Sequence, residues 1–189
     1  MITFESQVED KLKELEKTQK EFWNIARETA NFLNILIKAS KTKNMLEIGT
    51  SNGYSAIWFA LALKETDGKL TTIEFWDKRQ SIARENFKIC GVDDIITPKL
   101  GSAFDIMEEL YQDGAEYDFV FMDANKSEYI KYFELADKML KKGGLIAADN
   151  VLSHENKVKP FVDAISNNPN YQVQILDLPA GLLLARKSL

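Results

Sequence analysis

The sequence predicts a doubly wound α/β fold, with a seven-stranded, mostly parallel sheet that ends in an antiparallel C-terminal hairpin. Three observations predict it. Short β-rich runs alternate with helical patterns from residue 43 onward, which implies crossovers and a parallel sheet. Four prominent polar or glycine positions, Gly49, Glu74, Asp123 and Asp149, fall where such runs stop. The last two runs are joined by too short a link for a helical crossover, so they pair antiparallel.

The elements follow in order. The first forty residues read as helix. Apolar Phe4, Val8, Leu12 and Leu15 recur every three or four residues, and a second stripe runs through Phe22, Ile25, Ala26, Phe32, Leu33 and Leu36. Lys and Glu at helical pair spacing fill the face between. Two helices, or one long bent one, thus form an extension over residues 1–42 that packs on or caps the core. A lid or a homodimer contact is the alternative use of its stripe. The main domain spans 43–189.

Met45–Ile48 is a strand ending at Gly49, Tyr54–Leu63 a helix, and Leu70–Ile73 a strand ended by Glu74. Asp77–Cys90 is a helix with Asp77 as N-cap and Gly91 as C-terminal stop. Ile95–Leu100 is a strand, Ala103–Tyr111 a helix, and Tyr117–Met122 a strand ending at Asp123. A helix over Ser127–Leu140 is closed by Lys141-Lys142-Gly143-Gly144, and Leu145–Ala148 is a strand ending at Asp149. Lys157–Ser166 is helical, with Pro160 early enough to be tolerated. Tyr171–Leu176 and Leu182–Arg186 form the closing hairpin.

Composition narrows the function classes. A chain of 189 residues predicts one domain, or one with a small extension. The net charge of −5 gives no global basic field for nucleic acid. Cys90 is the sole cysteine, which removes intrachain disulfides and cysteine zinc clusters and suits a reducing cytoplasm. His154 is the sole histidine, so multi-histidine metal sites are out of reach. Glu5, Glu9 and Asp10 stand where a secretory leader needs basic and apolar residues. The longest apolar run, Ala56–Leu63, is too short to cross a membrane. A cytoplasmic location without membrane contact is expected.

In doubly wound sheets, ligands bind outside the carboxyl ends of the strands. The loop Glu47-Ile48-Gly49-Thr50-Ser51-Asn52-Gly53-Tyr54-Ser55 lies at one such end. Its two glycines let backbone approach a ligand, and the helix start can receive ligand oxygens. A tight turn without ligand is the alternative. A dinucleotide fingerprint needs glycine at 49, 51 and 54, but Ser51 and Tyr54 break it, which counts against a nicotinamide oxidoreductase.

Glu74 can accept both hydroxyls of a ribose, and with the glycine loop it indicates an adenosine-containing cofactor. Asp123, Asp149 and Asn150 offer hard oxygen donors from adjacent strand ends, which suit magnesium, calcium or manganese. Asn150, directly at a strand end, is preferred to Asn125. Lys126 lies near enough to Asp123 to reach the same site. The alternative is that both acids cap the following segments and Lys126 is solvated. Trp58 reads as core, Trp23 as core or interface, and Trp76 as a candidate stacking partner for adenine or ribose.

With these blocks in place, the chain resembles the cation-dependent O-methyltransferases, among them the catechol and caffeoyl-coenzyme A O-methyltransferases. The likeness runs from about Glu28 to Arg186. Glu47–Ser55, Asp123–Lys126 with Tyr129, and Asp149-Asn150-Val151-Leu152 carry it. The resemblance implies a Rossmann-like methyltransferase fold and transfer of a methyl group from S-adenosylmethionine to a hydroxyl of a small, catechol-like acceptor. It implies that Gly49 and Gly53 frame the cofactor loop around Thr50 and Ser51, with Glu47 and Ser55 beside it. Glu74 would hold the ribose, Ser102 and Ala103 would border the adenine, and Asp123 would adjoin the cofactor. Asp123, Asp149 and Asn150 would bind the divalent cation, Mg2+ first and Ca2+ or Mn2+ as alternatives. Lys126 would be the general base, since a nearby dication favours its neutral form.

Three segments depart from the family pattern, the first being Glu28-Thr29-Ala30, which lacks the proline and glycine usual before the corresponding helix. Ser153-His154 follows Val151-Leu152 where relatives often carry Trp, and Pro179-Ala180-Gly181-Leu182 stands where Gly-Asp-Gly is usual. An altered acceptor pocket is expected. A tRNA hydroxyuridine O-methyltransferase of the same fold is a second reading. Lys38, Lys41 and Lys43 speak for it and the acidic net charge against it. A cofactor-binding protein without catalysis is a third.

Overall fold

The computed structural model describes residues 5–189, so the apolar position expected at Phe4 lies outside the described residues. Three helical segments come first: α1 (Ser6–Glu16), the single turn α2 (Gln19–Phe22) and α3 (Arg27–Ala39). The two-helix expectation missed the break between α1 and α3, where Trp23 takes a left-handed φ of 58° and ends α2.

The alternating part follows as β1 (Asn44–Ile48), α4 (Tyr54–Thr66), β2 (Lys69–Glu74), α5 (Asp77–Ile89), β3 (Ile96–Leu100), α6 (Ala103–Gln112) and β4 (Tyr117–Met122). A 3₁₀ turn (Lys126–Glu128), α7 (Tyr129–Met139), β5 (Leu140–Ala148), α8 (Glu155–Ser166), β6 (Tyr171–Leu176) and β7 (Leu182–Lys187) complete it. Among the described residues, no helix is long and apolar enough to cross a membrane.

The seven strands lie in the order β3-β2-β1-β4-β5-β7-β6. The first five pair in parallel, while β7 pairs antiparallel with both β5 and β6. The chain runs outward from β1 to β3, then returns to the other side of β1 as β4. The β1–β4 junction is therefore the switch point at which such sheets bind ligands.

Central strands buried on both faces should read as near-continuous apolar runs, and β4 shows why. Phe119 and Phe121 pack toward α1, α3 and α4, while Val120 and Met122 pack toward α6, α7 and α8. Each fully buried Phe contributes about 1.5–3 kcal/mol of hydrophobic stabilisation. Val8, Leu12, Leu15, Leu33 and Ile37 belong to the same buried cluster as Trp58 and Phe59, so the N-terminal stripe is satisfied within its own chain.

Three local expectations need correction. Asp77 is the first residue of α5 rather than its N-cap. Trp76 holds the cap position, without a side-chain hydrogen bond. Lys141–Gly144 do not close α7 but open β5, because Leu140 already pairs with Tyr117 across a register shift in the β4–β5 ladder. Ser127 lies in the 3₁₀ turn, so α7 proper begins at Tyr129.

Candidate active site

The glycine loop leaves β1 with Gly49 at φ +104°, and the N–H groups of Gly49 and Thr50 both donate to the carbonyl of Ile73. A Cβ on Gly49 would stand 2.3 Å from the carbonyl oxygen of Asp123. Only glycine lets the loop cross the end of β4 this closely. Gly53 caps α4 at φ +87°, and a Cβ there would meet the Phe87 ring at 2.5 Å.

Glu74 ends β2 and is nearly buried. Its carboxylate accepts the Ser51 N–H at 2.7 Å and the Trp76 N–H at 2.9 Å. One acid thus ties the glycine loop to the strand beside it and keeps lone pairs for a further donor. Glu47 lies a layer deeper because strand alternation turns it toward α4. The hydroxyls of Ser55 and Thr72 donate to it at 2.6 and 2.5 Å. Burial pushes its carboxyl up to about 8, against the opposing effect of those two donors.

On the other side of the switch point, the Asp123 N–H donates to Ile48 and the Asp149 N–H to Met122, at 2.9 and 3.0 Å. These bonds align the ends of β1, β4 and β5. The Lys126 ammonium donates to Asp123 Oδ1 at 2.5 Å. Burial raises the Asp123 carboxyl, and Lys126 opposes that rise. Asp149 is 3% exposed, and its Oδ1 is buried without a hydrogen-bond partner. Burial first, then the charge of Asp123, push its carboxyl up to about 8.

Asn150 follows in a left-handed conformation at φ +65°, which asparagine tolerates better than most residues. Its side chain takes part in none of the side-chain hydrogen bonds of the described residues. Asn125 is committed elsewhere: its Oδ1 accepts the Ser127 N–H and its Nδ2 donates to Glu128. Among the described residues, no three His, Cys, Asp or Glu side chains converge into a cation site. Two carboxylates and the Asn150 amide are the oxygen donors at hand.

These groups share one cleft of about 970 Å³. Gly49, Thr50, Ser51, Ser55 and Glu74 line it, with Ser102 and Ala103, and so do Asp123, Lys126, Asp149 and Asn150. Two expected cofactor residues are absent from its wall. Glu47 sits beneath the loop and reaches the cleft only through Ser55, and Gly53 backs onto Phe87.

The cleft also has a wall that periodicity did not reveal. Trp23, Asn24, Ile25 and Ala26 line it, with Trp76 and Arg79. The Ser51 hydroxyl donates to the Phe22 carbonyl at 2.6 Å, fastening this segment to the glycine loop. The Arg79 guanidinium lies 4.3 Å from the Trp23 ring centroid and 4.9 Å from that of Trp76. Trp23, expected in the core or at an interface, is 69% exposed and so not in the core, whereas Trp58 is buried as expected. His154, Lys157, Pro179 and Ala180 also line the cleft, in or beside segments where the sequence departs from the family pattern.

Comparison with known proteins identifies relatives of this chain. The profile of the O-methyltransferase family matches residues 4–187. A catechol O-methyltransferase of Niastella koreensis is 36% identical over 145 residues, a match covering 74% of this chain and 65% of that protein. A caffeoyl-CoA O-methyltransferase of Eucalyptus globulus is 34% identical over 207 residues, covering 93% of this chain and 81% of that one. The solved O-methyltransferase of Bacillus cereus in complex with SAH superposes with a TM-score of 0.88 at 26% identity, covering 100% of this chain and 93% of that chain. The family profile spans nearly the whole chain, including all three blocks that border the cleft, and the chain belongs to the O-methyltransferase family.

Proposed function

We propose that this protein is an O-methyltransferase that uses S-adenosylmethionine and a divalent cation to methylate a hydroxyl of a small acceptor bearing adjacent hydroxyls. One observation carries the reading. A buried carboxylate with an unpartnered oxygen, Asp149, sits beside Asp123 and Lys126 in the same cleft as the glycine loop and Glu74. A buried acid left in that state favours a proton or a cation.

The residues present fit both groups. Glu74 is free to accept ribose hydroxyls, and the loop at Gly49–Ser51 admits the methionine portion close to backbone. Ser102 and Ala103 border the adenine end. Asp123, Asp149 and Asn150 would hold the cation, Mg2+ by the hardness of its oxygen donors, with Ca2+ or Mn2+ as substitutes. When bound, the cation supplies positive charge that stabilises an ionised acceptor hydroxyl. S-adenosylmethionine supplies the methyl group on a sulfonium. Lys126, released from Asp123 and having given its ammonium proton to solvent, would accept the acceptor's proton at its neutral Nζ. The segment Phe22–Ala26 excludes water from the cofactor side, so this part of the N-terminal extension serves the site. Holding hydroxyl and methyl in line provides the proximity advantage.

No observation favours a tRNA substrate. Lys38 pairs with Glu65, Lys43 approaches Asp67, and neither they nor Lys41 line the cleft. The solvated rim at His154 and Lys157 suits a small polar acceptor in a cytoplasmic enzyme.

The test is formation of S-adenosylhomocysteine from S-adenosylmethionine with Mg2+ and a catechol. Chelation should abolish turnover. Lys126→Ala should lower kcat by about 10²–10⁴-fold, the range of general-base catalysis. Turnover that survives both chelation and Lys126→Ala would refute the proposal.

A further inference from the structure

The β4–β5 ladder ends at the pair Met122–Ala148, one residue short of the two acids. Beyond it, the Asp123 and Asp149 side chains both line the cleft. Asn150 turns the chain away immediately afterwards. Past the last ladder pair, a single backbone bond, from the Asp149 N–H to the Met122 carbonyl, joins the two strand ends before the carboxylates.

Tyr129, fully buried at the start of α7, spans the gap. Its hydroxyl donates to the Met122 carbonyl at 3.0 Å and lies 3.2 Å from the Asp149 carbonyl. Met122 directly precedes Asp123, and its carbonyl also accepts the Asp149 N–H at 3.0 Å. One phenol thus touches the backbone of both strand ends. The ring does two more things. Its edge-to-face contact with Phe161, 5.8 Å between centroids, fixes its plane. Lys126 Nζ lies 5.3 Å from its centroid.

We infer that Tyr129 is a positioning residue whose hydroxyl clasps the ends of β4 and β5 and sets the Asp123–Asp149 spacing for a divalent cation. The inference rests on the cation reading given above. It adds that the clasp acts on the backbone, while the ring faces Lys126.

Tyr129→Phe keeps the ring, its packing on Phe161 and its face toward Lys126, and removes only the hydroxyl. Mg2+ and Mn2+ titrations of the variant should show a dissociation constant raised about 10–100-fold, the range seen when the support behind metal ligands is removed. S-adenosylmethionine binding without metal should stay within about twofold of wild type. Leu33→Ala, in the far helix layer, is the control for general destabilisation: it should lower the melting temperature yet leave metal affinity unchanged.

Unchanged metal affinity in Tyr129→Phe would overturn the inference. So would equal weakening of metal and S-adenosylmethionine binding, or loss of the folded state, since either makes the hydroxyl a support of the whole fold. Wild-type protein that binds neither Mg2+ nor Mn2+ would instead overturn the cation reading beneath it.

Discussion

On the β1–β2 side of the cleft, Glu74 is held by two backbone N–H donors and Glu47 by two hydroxyls. On the β4–β5 side, Asp149 keeps a buried oxygen without a partner. Both sides are built from acids at or near strand ends, but only one is satisfied by the protein itself. A buried polar group left unpaired costs about 1–3 kcal/mol, and more when charged. On the proposed function, the satisfied side is pre-formed for a neutral, hydrogen-bonding partner such as a ribose, and the other side is the one a cation would complete.

The sharpest way to break the comparison is to unmake the satisfied side. Glu74→Ala removes a charged acceptor of two backbone donors and of the proposed ribose hydroxyls. Hydrogen bonds to charged groups contribute about 1.5–3 kcal/mol, so S-adenosylmethionine affinity should fall by about 10–100-fold. Mg2+ affinity, set on the other side, should hold. Equal loss of both in calorimetric titration would mean that the two halves are not separate.

A smaller effect separates the halves by pH. Asp149 and Glu47 keep their protons to about pH 8 in the folded protein, while the unfolded chain releases them near their ordinary values of 3.8 and 4.5. Between those limits the folded state binds more protons, so the stability of cation-free protein falls as pH rises from about 4 to about 8. Mg2+ competes with the proton on Asp149, so the rise in melting temperature on adding Mg2+ should grow across the same window. Glu47→Gln, which imitates the protonated acid, should flatten part of the slope in EDTA and leave the Mg2+ increment intact. Thermal unfolding from pH 5 to 9 reads all three, and stability that climbs with pH in EDTA would contradict the assignment.

Much of this was legible in the sequence because parallel strands buried on both faces announce themselves. Tyr117–Met122 is nearly all apolar and stops at an acid, and so does Leu145–Ala148. Those two stops, with Glu74 after Leu70–Ile73, put three acids at the carboxyl ends of parallel strands. Other features depend on packing that no run of residues encodes. Lys141-Lys142-Gly143-Gly144 has the composition of a turn, yet pairing at Leu140 draws it into β5. Glu47 adjoins the glycine loop in the chain but lies beneath it, since side chains alternate along β1. Trp23 enters the cleft because α2 ends in a left-handed residue, and helical periodicity carries no sign of that. The hydroxyl of Tyr129 was visible only as part of a family motif, while its reach to two carbonyls is a fact of the fold.

The most direct test of the central claim is calorimetric titration of wild-type protein and Asp149→Ala with Mg2+ and, separately, with S-adenosylmethionine. The account predicts that the wild type binds both ligands, whereas the variant loses Mg2+ and keeps S-adenosylmethionine within about twofold. Undiminished Mg2+ binding by Asp149→Ala would contradict it, as would a wild-type protein that binds no S-adenosylmethionine.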